Sequence, residues 1–179
     1  NGVTSVGSVK LSQPKHTFAH LLRQHGYATG VTGKWHLKTT PEQAGFDFAA
    51  TCWSNGPWYD RRFRMDGQSR VMPGFVDDVA VQQSLRFIRQ AQDADQPFVL
   101  WLNTQVPHMD QRHTWPAQDE FLAKYDPQAM PLPRTWNDSL QGKPDYLASS
   151  RSRTQALKYG YDDPAAIRAH ARDYYASVE

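Results

Sequence analysis

The run Phe98-Val99-Leu100-Trp101-Leu102 is apolar throughout and does not alternate with polar residues. A half-exposed strand alternates, so this run, set off by Gln96-Pro97, reads as a strand buried on both faces of a parallel sheet. Parallel strands need long crossovers, which makes the chain an α/β protein whose mainly parallel sheet is flanked by helices. A helix that begins at Pro14 carries Phe18, Leu21 and Leu22 at helical spacing, and Gly26 is placed to end it. Tyr27-Ala28-Thr29-Gly30-Val31-Thr32 follows as a strand. A second helix starts near Asp77 and Asp78, whose carboxylates suit a helix N-terminus, with a stripe at Ala80, Ser84, Phe87, Ile88 and Ala91. Asp163 as N-cap and Pro164 at the first helical position open a last helix, with Ile167, Ala171, Tyr174 and Val178 on one face. Residues 39–74 lack a steady period and read as loops with at most short strands. Residues 105–160 form a long, polar, proline-punctuated stretch, a length that a compact domain keeps when the loop serves a site.

Composition narrows the function. With 179 residues the chain is long enough for one domain with a real core. Its formal charge of +2 comes from interspersed acids and bases, not from a basic block that would track a phosphate backbone, so no nucleic acid is expected as partner. No stretch is long and apolar enough to cross a bilayer, in keeping with a mean hydropathy of −0.71. Asn1-Gly2-Val3-Thr4-Ser5 has neither the charged start nor the apolar core of a signal peptide. The single Cys52 has no partner for an internal disulfide.

In parallel sheets ligands sit beyond the carboxyl ends of the strands. Lys34 and His36 follow the first strand, two residues apart, a spacing that sends both side chains to one side of an extended segment. A fixed ammonium beside an imidazole can bind a tetrahedral oxyanion and move a proton next to it. Pro107-His108 follows the second strand, so two strand ends deliver catalytic residue types to one expected edge. Other features read more simply. His16 and His20 lie one helical turn apart, with His25 beyond, yet no acidic neighbour supports a metal, and a polar helix face accounts for them. Residues 52–64, rich in aromatics and arginines, suit either a pocket for an anionic or sugar-like ligand or a loop anchored by its aromatics. The anchored loop is slightly favoured, and none of these residues enters the site. Arg112 and His113 are near His108 in sequence only, and Tyr174-Tyr175 reads as helix packing.

Gly33-Lys34-Trp35-His36-Leu37, preceded by Leu21-Leu22-Arg23-Gln24-His25-Gly26-Tyr27-Ala28-Thr29, closely resembles a signature of the formylglycine-dependent sulfatases of the alkaline-phosphatase-like superfamily. The segment from Gln96 through Phe98-Val99-Leu100-Trp101-Leu102 to Pro107-His108 is similar to that family's apolar strand and Pro-His pair. Ala44-Gly45-Phe46-Asp47, Tyr125-Asp126-Pro127, Leu132-Pro133 and Tyr174-Tyr175-Ala176 add weaker likenesses in the same order. The resemblance implies a sulfuric ester hydrolase. In it Lys34 and His108 bind the sulfate, His36 bonds to the aldehyde hydrate and takes a proton, and His108 helps the alcohol leave. It also implies a formylglycine made from Cys or Ser, a divalent cation such as Ca2+, a small-molecule or carbohydrate sulfate ester as partner, and a periplasmic or secreted location.

The departures are specific. Cys52 is followed by Trp53-Ser54-Asn55, not by the Cys/Ser-x-Pro-Ser/Ala-Arg pattern that is converted to the aldehyde, and no Ser stands in that pattern either. No metal ligand is assigned: Asp77-Asp78 reads as a helix start. Lys38 stands where the family commonly has Gly, and Asp110 where it often has Pro. Residues 1–179 are therefore expected to be the central section of one catalytic domain, with the nucleophile before it and further metal ligands after it, and inactive alone. The rival readings are a phosphonate or phosphate ester hydrolase on the same scaffold, and a non-catalytic truncated relative.

Overall fold

The computed structural model describes residues 10–13, 16–110 and 112–179. They form two compact units, Asn1–Gln105 and Val106–Glu179.

In the first unit, helix α1 (Phe18–Gln24) is fixed locally at both ends. Thr17 Oγ1 accepts from His20 N at its start. At its end Gly26, at φ +86, turns the chain so that Gly26 N donates to Arg23 O and Tyr27 N to Leu22 O, the paired capture of orphan carbonyls that a left-handed residue permits. Gly26 ends the helix as expected. The helix starts at Phe18, and Pro14 lies outside the described residues.

Strand β1 (Ala28–Trp35) follows directly. It runs past Thr32, so Lys34 stands inside the strand and not beyond its end. Then come β2 (Phe48–Trp53), β3 (Arg62–Met65), β4 (Gln68–Val71), α2 (Val76–Asp93) and β5 (Phe98–Asn103). The sheet order is β4-β3-β2-β1-β5. β1 lies parallel to β2 and β5, whereas β2, β3 and β4 pair antiparallel. The sheet is thus mixed: parallel where crossovers connect the strands, antiparallel where connections are tight. Asp66 and Gly67 turn between β3 and β4 at φ +51 and +75, the backbone that suits a two-residue hairpin.

Two expectations need correction here. Residues 39–74 hold a six-residue strand, β2, in the interior of the sheet. Its run Phe48-Ala49-Ala50-Thr51-Cys52-Trp53 lacks alternation and contains two alanines, and it is stabilised by pairing on both sides, not by its own propensity. Conversely, β5 is not buried on both faces. Among the described residues it is the sheet's edge, and Phe98, Trp101 and Leu102 are 39%, 43% and 39% exposed.

Alternation along β1 distributes the core. Gly30 and Thr32 face α2: a Cβ at Gly30 would stand 2.8 Å from the Phe87 ring, and the Thr32 and Ser84 hydroxyls lie 2.7 Å apart. Phe48 and Phe98 close on Phe87 at 5.3 and 6.0 Å between ring centroids. Val31 and Trp35 face the other way, into a cluster with Ala19, Ala44 and Phe46. The expected α2 stripe is the buried one at Ala80, Ser84, Phe87 and Ala91, with Ile88 half-buried. Asp77 and Asp78 lie in the first turn, where carboxylates favour the helix dipole.

The second unit is helical. Residues 105–160 are not all loop: they contain α3 (Asp119–Leu122) and α4 (Arg151–Lys158), which Ser150 caps by accepting from Arg153 N. Such short helices bury too narrow a face to show a period. Helix α5 (Pro164–Val178) opens as expected, with Asp163 Oδ1 accepting from Ala165 N at 2.9 Å. Its buried residues are Ile167 and Ala176, while Val178 is 55% exposed. The expected face therefore drifts toward the exposed end of the helix.

Candidate active site

Trp35 decides how the end of β1 presents its neighbours. Its indole is buried, donates through Nε1 to Thr39 O at 2.8 Å, and packs edge-on against Phe46 and Trp101. With Trp35 turned into the core, Lys34 and His36 turn outward on either side of it. Both line one cleft of about 480 Å³ with Leu37, Trp101, Asn103 and Thr104, a size typical of a small-ligand site.

Lys34 Nζ donates to Asn55 Oδ1 at 2.6 Å. Burial holds its ammonium below the usual lysine range. The Arg61 guanidinium pushes the same way, and Cys52 opposes it. His36 meets the Trp53 ring edge-on at 5.5 Å. Cys52 pairs with Lys34 across the β1–β2 ladder. Burial and, against the pull of Arg61, the Asp77 carboxylate keep its thiol protonated above the ordinary range, the state of a structural and unreactive cysteine.

His108 belongs to the second unit. Its Nδ1 lies 2.7 Å from Met109 O; a carbonyl only accepts, so the proton sits on Nδ1, and Nε2 accepts when the ring is neutral and donates when it is charged. The loop that carries His108 is pinned from inside. Buried Asp110 accepts from Arg112 N, Thr114 N and Thr114 Oγ1, and Trp115 Nε1 donates to Pro107 O at 2.8 Å. Burial pushes the Asp110 carboxyl up, but the hydrogen bonds from Thr114 and Arg112 outweigh it and hold the group below its usual range. His113 is engaged by the Tyr159 hydroxyl at 3.0 Å and Arg112 by Asp110. Tyr174 and Tyr175 pack against Trp115 and Tyr125.

Asn55 and Arg61 stand beside Lys34, and Gln105 bonds to Arg61, without having been assigned to the site from sequence. Of residues 52–64 only 54–61 are loop, the ends belonging to β2 and β3; Trp58, 1% exposed, anchors that loop, which also carries Asn55 to the ammonium. The juxtaposition of arginine with Ser54-Asn55-Gly56 was the available signal.

The Sulfatase family model matches residues 1–178. The chain belongs to the sulfatase family. It is 29% identical to N-acetylglucosamine-6-O-sulfatase of Bacteroides thetaiotaomicron over 150 residues, covering 80% of this chain and 25% of that protein. It is 26% identical to the uncharacterized sulfatase YdeN of Escherichia coli over 172 residues, 77% of this chain and 28% of that protein. The solved structure of BT4656 in complex with its substrate D-Glucosamine-2-N, 6-O-disulfate superposes with a TM-score of 0.71 at 20% identity, over 94% of this chain and 44% of that one. At that identity the likeness shows the fold. The chain spans about a quarter of the length of the curated relatives it matches.

The groups that sulfatases employ do not fit the residues described here. Cys52 lies buried within β2 and outside the modification pattern. No three His, Cys, Asp or Glu side chains gather to hold a cation among the described residues. No step is therefore assigned to an aldehyde or a metal in this chain.

Proposed function

We propose that the protein containing this chain hydrolyses a sulfate ester, with Lys34 as an anion-binding charge and His36 as the proton-handling group beside it. The observation that carries the reading is the Lys34 ammonium. It is held at 2.6 Å by a neutral acceptor, Asn55, in the cleft that His36 also lines. A sulfate ester presents oxygens and no acidic proton, so the protein must supply positive charge, donors and proton transfer as negative charge builds on the departing oxygen. The partner of Lys34 is an amide and not a carboxylate, so it brings no counter-charge to offset the ammonium toward a ligand. For His108 a separate role is proposed: binding a sulfate oxygen through Nε2 when its ring is charged.

The substrate proposed is a sulfated amino sugar, by likeness to the N-acetylglucosamine-6-O-sulfatase and to BT4656 with its disulfated glucosamine. Formylglycine, a divalent cation such as Ca2+, and a periplasmic or secreted location belong to the same proposal, with aldehyde and cation supplied by other residues of the full-length protein. No helix among the described residues is long and apolar enough to cross a membrane. Assaying the full-length gene product on paired aryl sulfate and aryl phosphate or phosphonate esters, then on glucosamine 6-sulfate, tests the reading. Faster turnover of the phosphorus esters would replace it with the phosphohydrolase reading, and no turnover of either would leave a non-catalytic relative.

A further inference from the structure

Arg61 is 4% exposed and forms no ion pair among the described residues. Its guanidinium is held by neutral acceptors instead. Nη1 donates to Gln105 Oε1 at 2.9 Å, and Nη2 donates to Trp53 O at 2.8 Å and Ser54 O at 2.5 Å. Burying a charge without a counter-charge is costly unless its donors are satisfied. Here the acceptors come from two places: the turn that leaves β2, and the residue that follows β5 by two positions. Those strands flank β1 on either side, so Arg61 ties together the carboxyl ends that border Lys34. Gln105 is fixed in turn, its N donating to Asp77 Oδ1 at 2.7 Å in the first turn of α2.

The turn is shaped to the guanidinium. Ser54 sits at φ +52, and Gly56 lies so close that a Cβ there would stand 3.1 Å from Arg61 Cζ. Between them is Asn55, exposed to solvent, whose one described hydrogen bond is from Lys34 Nζ. An ammonium on a flexible stem keeps one position only if something rigid accepts from it.

We propose that Arg61 is a positioning residue for Lys34: its guanidinium moulds the turn Trp53-Ser54-Asn55-Gly56, and that turn holds Asn55 Oδ1 against Lys34 Nζ. The fork geometry is essential, since a single ammonium at position 61 cannot reach Gln105 and two successive carbonyls in one plane. The inference rests on the reading of Lys34 as the anion-binding charge of a sulfatase.

The test is a double-mutant cycle in the full-length protein with an aryl sulfate as probe, reading kcat and Tm. Asn55→Ala should lower kcat about ten-fold, the order expected for loosening a preorganised charge and not deleting it, and leave Tm unchanged because Asn55 is exposed. Arg61→Lys should lower kcat by a similar factor and lower Tm. In the Asn55→Ala background Arg61→Lys should change kcat by less than about two-fold while still lowering Tm, because its effect on turnover passes through Asn55. Multiplying losses in kcat, or wild-type kcat in Asn55→Ala, would overturn the proposal. If Arg61→Lys does not fold, Gly56→Ala, which crowds the guanidinium, takes its place in the cycle with the same expectation. Lys34→Ala runs alongside. Wild-type turnover in that variant sinks the functional reading itself, whereas an inactive Lys34→Ala with a fully active Asn55→Ala sinks this inference alone.

Discussion

A Cβ on Gly33 would stand 2.0 Å from the carbonyl oxygen of Asn103. The two residues are paired across the β1–β5 ladder, and Gly33 adopts φ +85, a conformation that side chains resist. Gly33→Ala therefore suffers both backbone strain and overlap with main chain that has no rotamer to change. It should lose about 2 kcal/mol or more, read as a lowered Tm in thermal unfolding. An unchanged Tm would mean that β1 and β5 do not approach as described.

Lys34→Ala in the full-length protein should lower kcat about 100-fold or more, as for loss of a preorganised charge at a developing anion. The pH profile carries a second expectation. The bound anion needs the protonated amine, and in the free enzyme burial, then Arg61, make that proton easier to lose, with Cys52 opposing. The alkaline limb of kcat/KM, which reports the free enzyme, should accordingly fall at lower pH than an ordinary lysine would give. A limb at or above the ordinary lysine position would contradict the electrostatics of the site.

His36→Ala should reduce kcat about 100-fold, the contribution typical of a positioned acid–base group. Added imidazole should restore part of the rate, since the ring leaves a space beside Trp53 in an open cleft. Full activity without imidazole would remove His36 from the chemistry.

The 179-residue chain expressed alone should release no phenol from an aryl sulfate, because its sequence lacks the pattern converted to the aldehyde and no three His, Cys, Asp or Glu side chains gather to hold a cation among the described residues. It should also self-associate through β5, whose outer edge and the exposed side chains of Trp101 and Leu102 invite pairing. Leu102→Lys should shift it toward monomer in light scattering. A monodisperse wild-type chain would show that the edge is covered in some other way.

What was readable in the sequence was what is decided locally. Gly26 stops α1 and Asp163-Pro164 starts α5, each through bonds within a few residues, and the Asp77-Asp78 pair lies in the first turn of α2, where carboxylates favour the helix dipole. Lys34 and His36 were marked by a short motif, and the structure puts both on the wall of one cleft. β2 was not, since its alanines acquire strand structure only between two partners. Nor was the edge position of β5, because an apolar run reports what a strand can bury and not which neighbours it has. The Arg61–Gln105 bond joins residues 44 apart in sequence; no local pattern announces it, and with it Asn55 passed for a loop residue.

The parallel pairing of β1 with β2 has a consequence for variation. Lys34 stands opposite Cys52 in the ladder, so the distance from Lys34 to the Asn55 turn is set by strand register and not by the connector between the strands. That connector must travel from the carboxyl end of β1 back to the amino end of β2, and its exposed tip at Glu42-Gln43 can grow or shrink at little cost in closure entropy. The connector can thus be remodelled there while Lys34 keeps its place in the cleft.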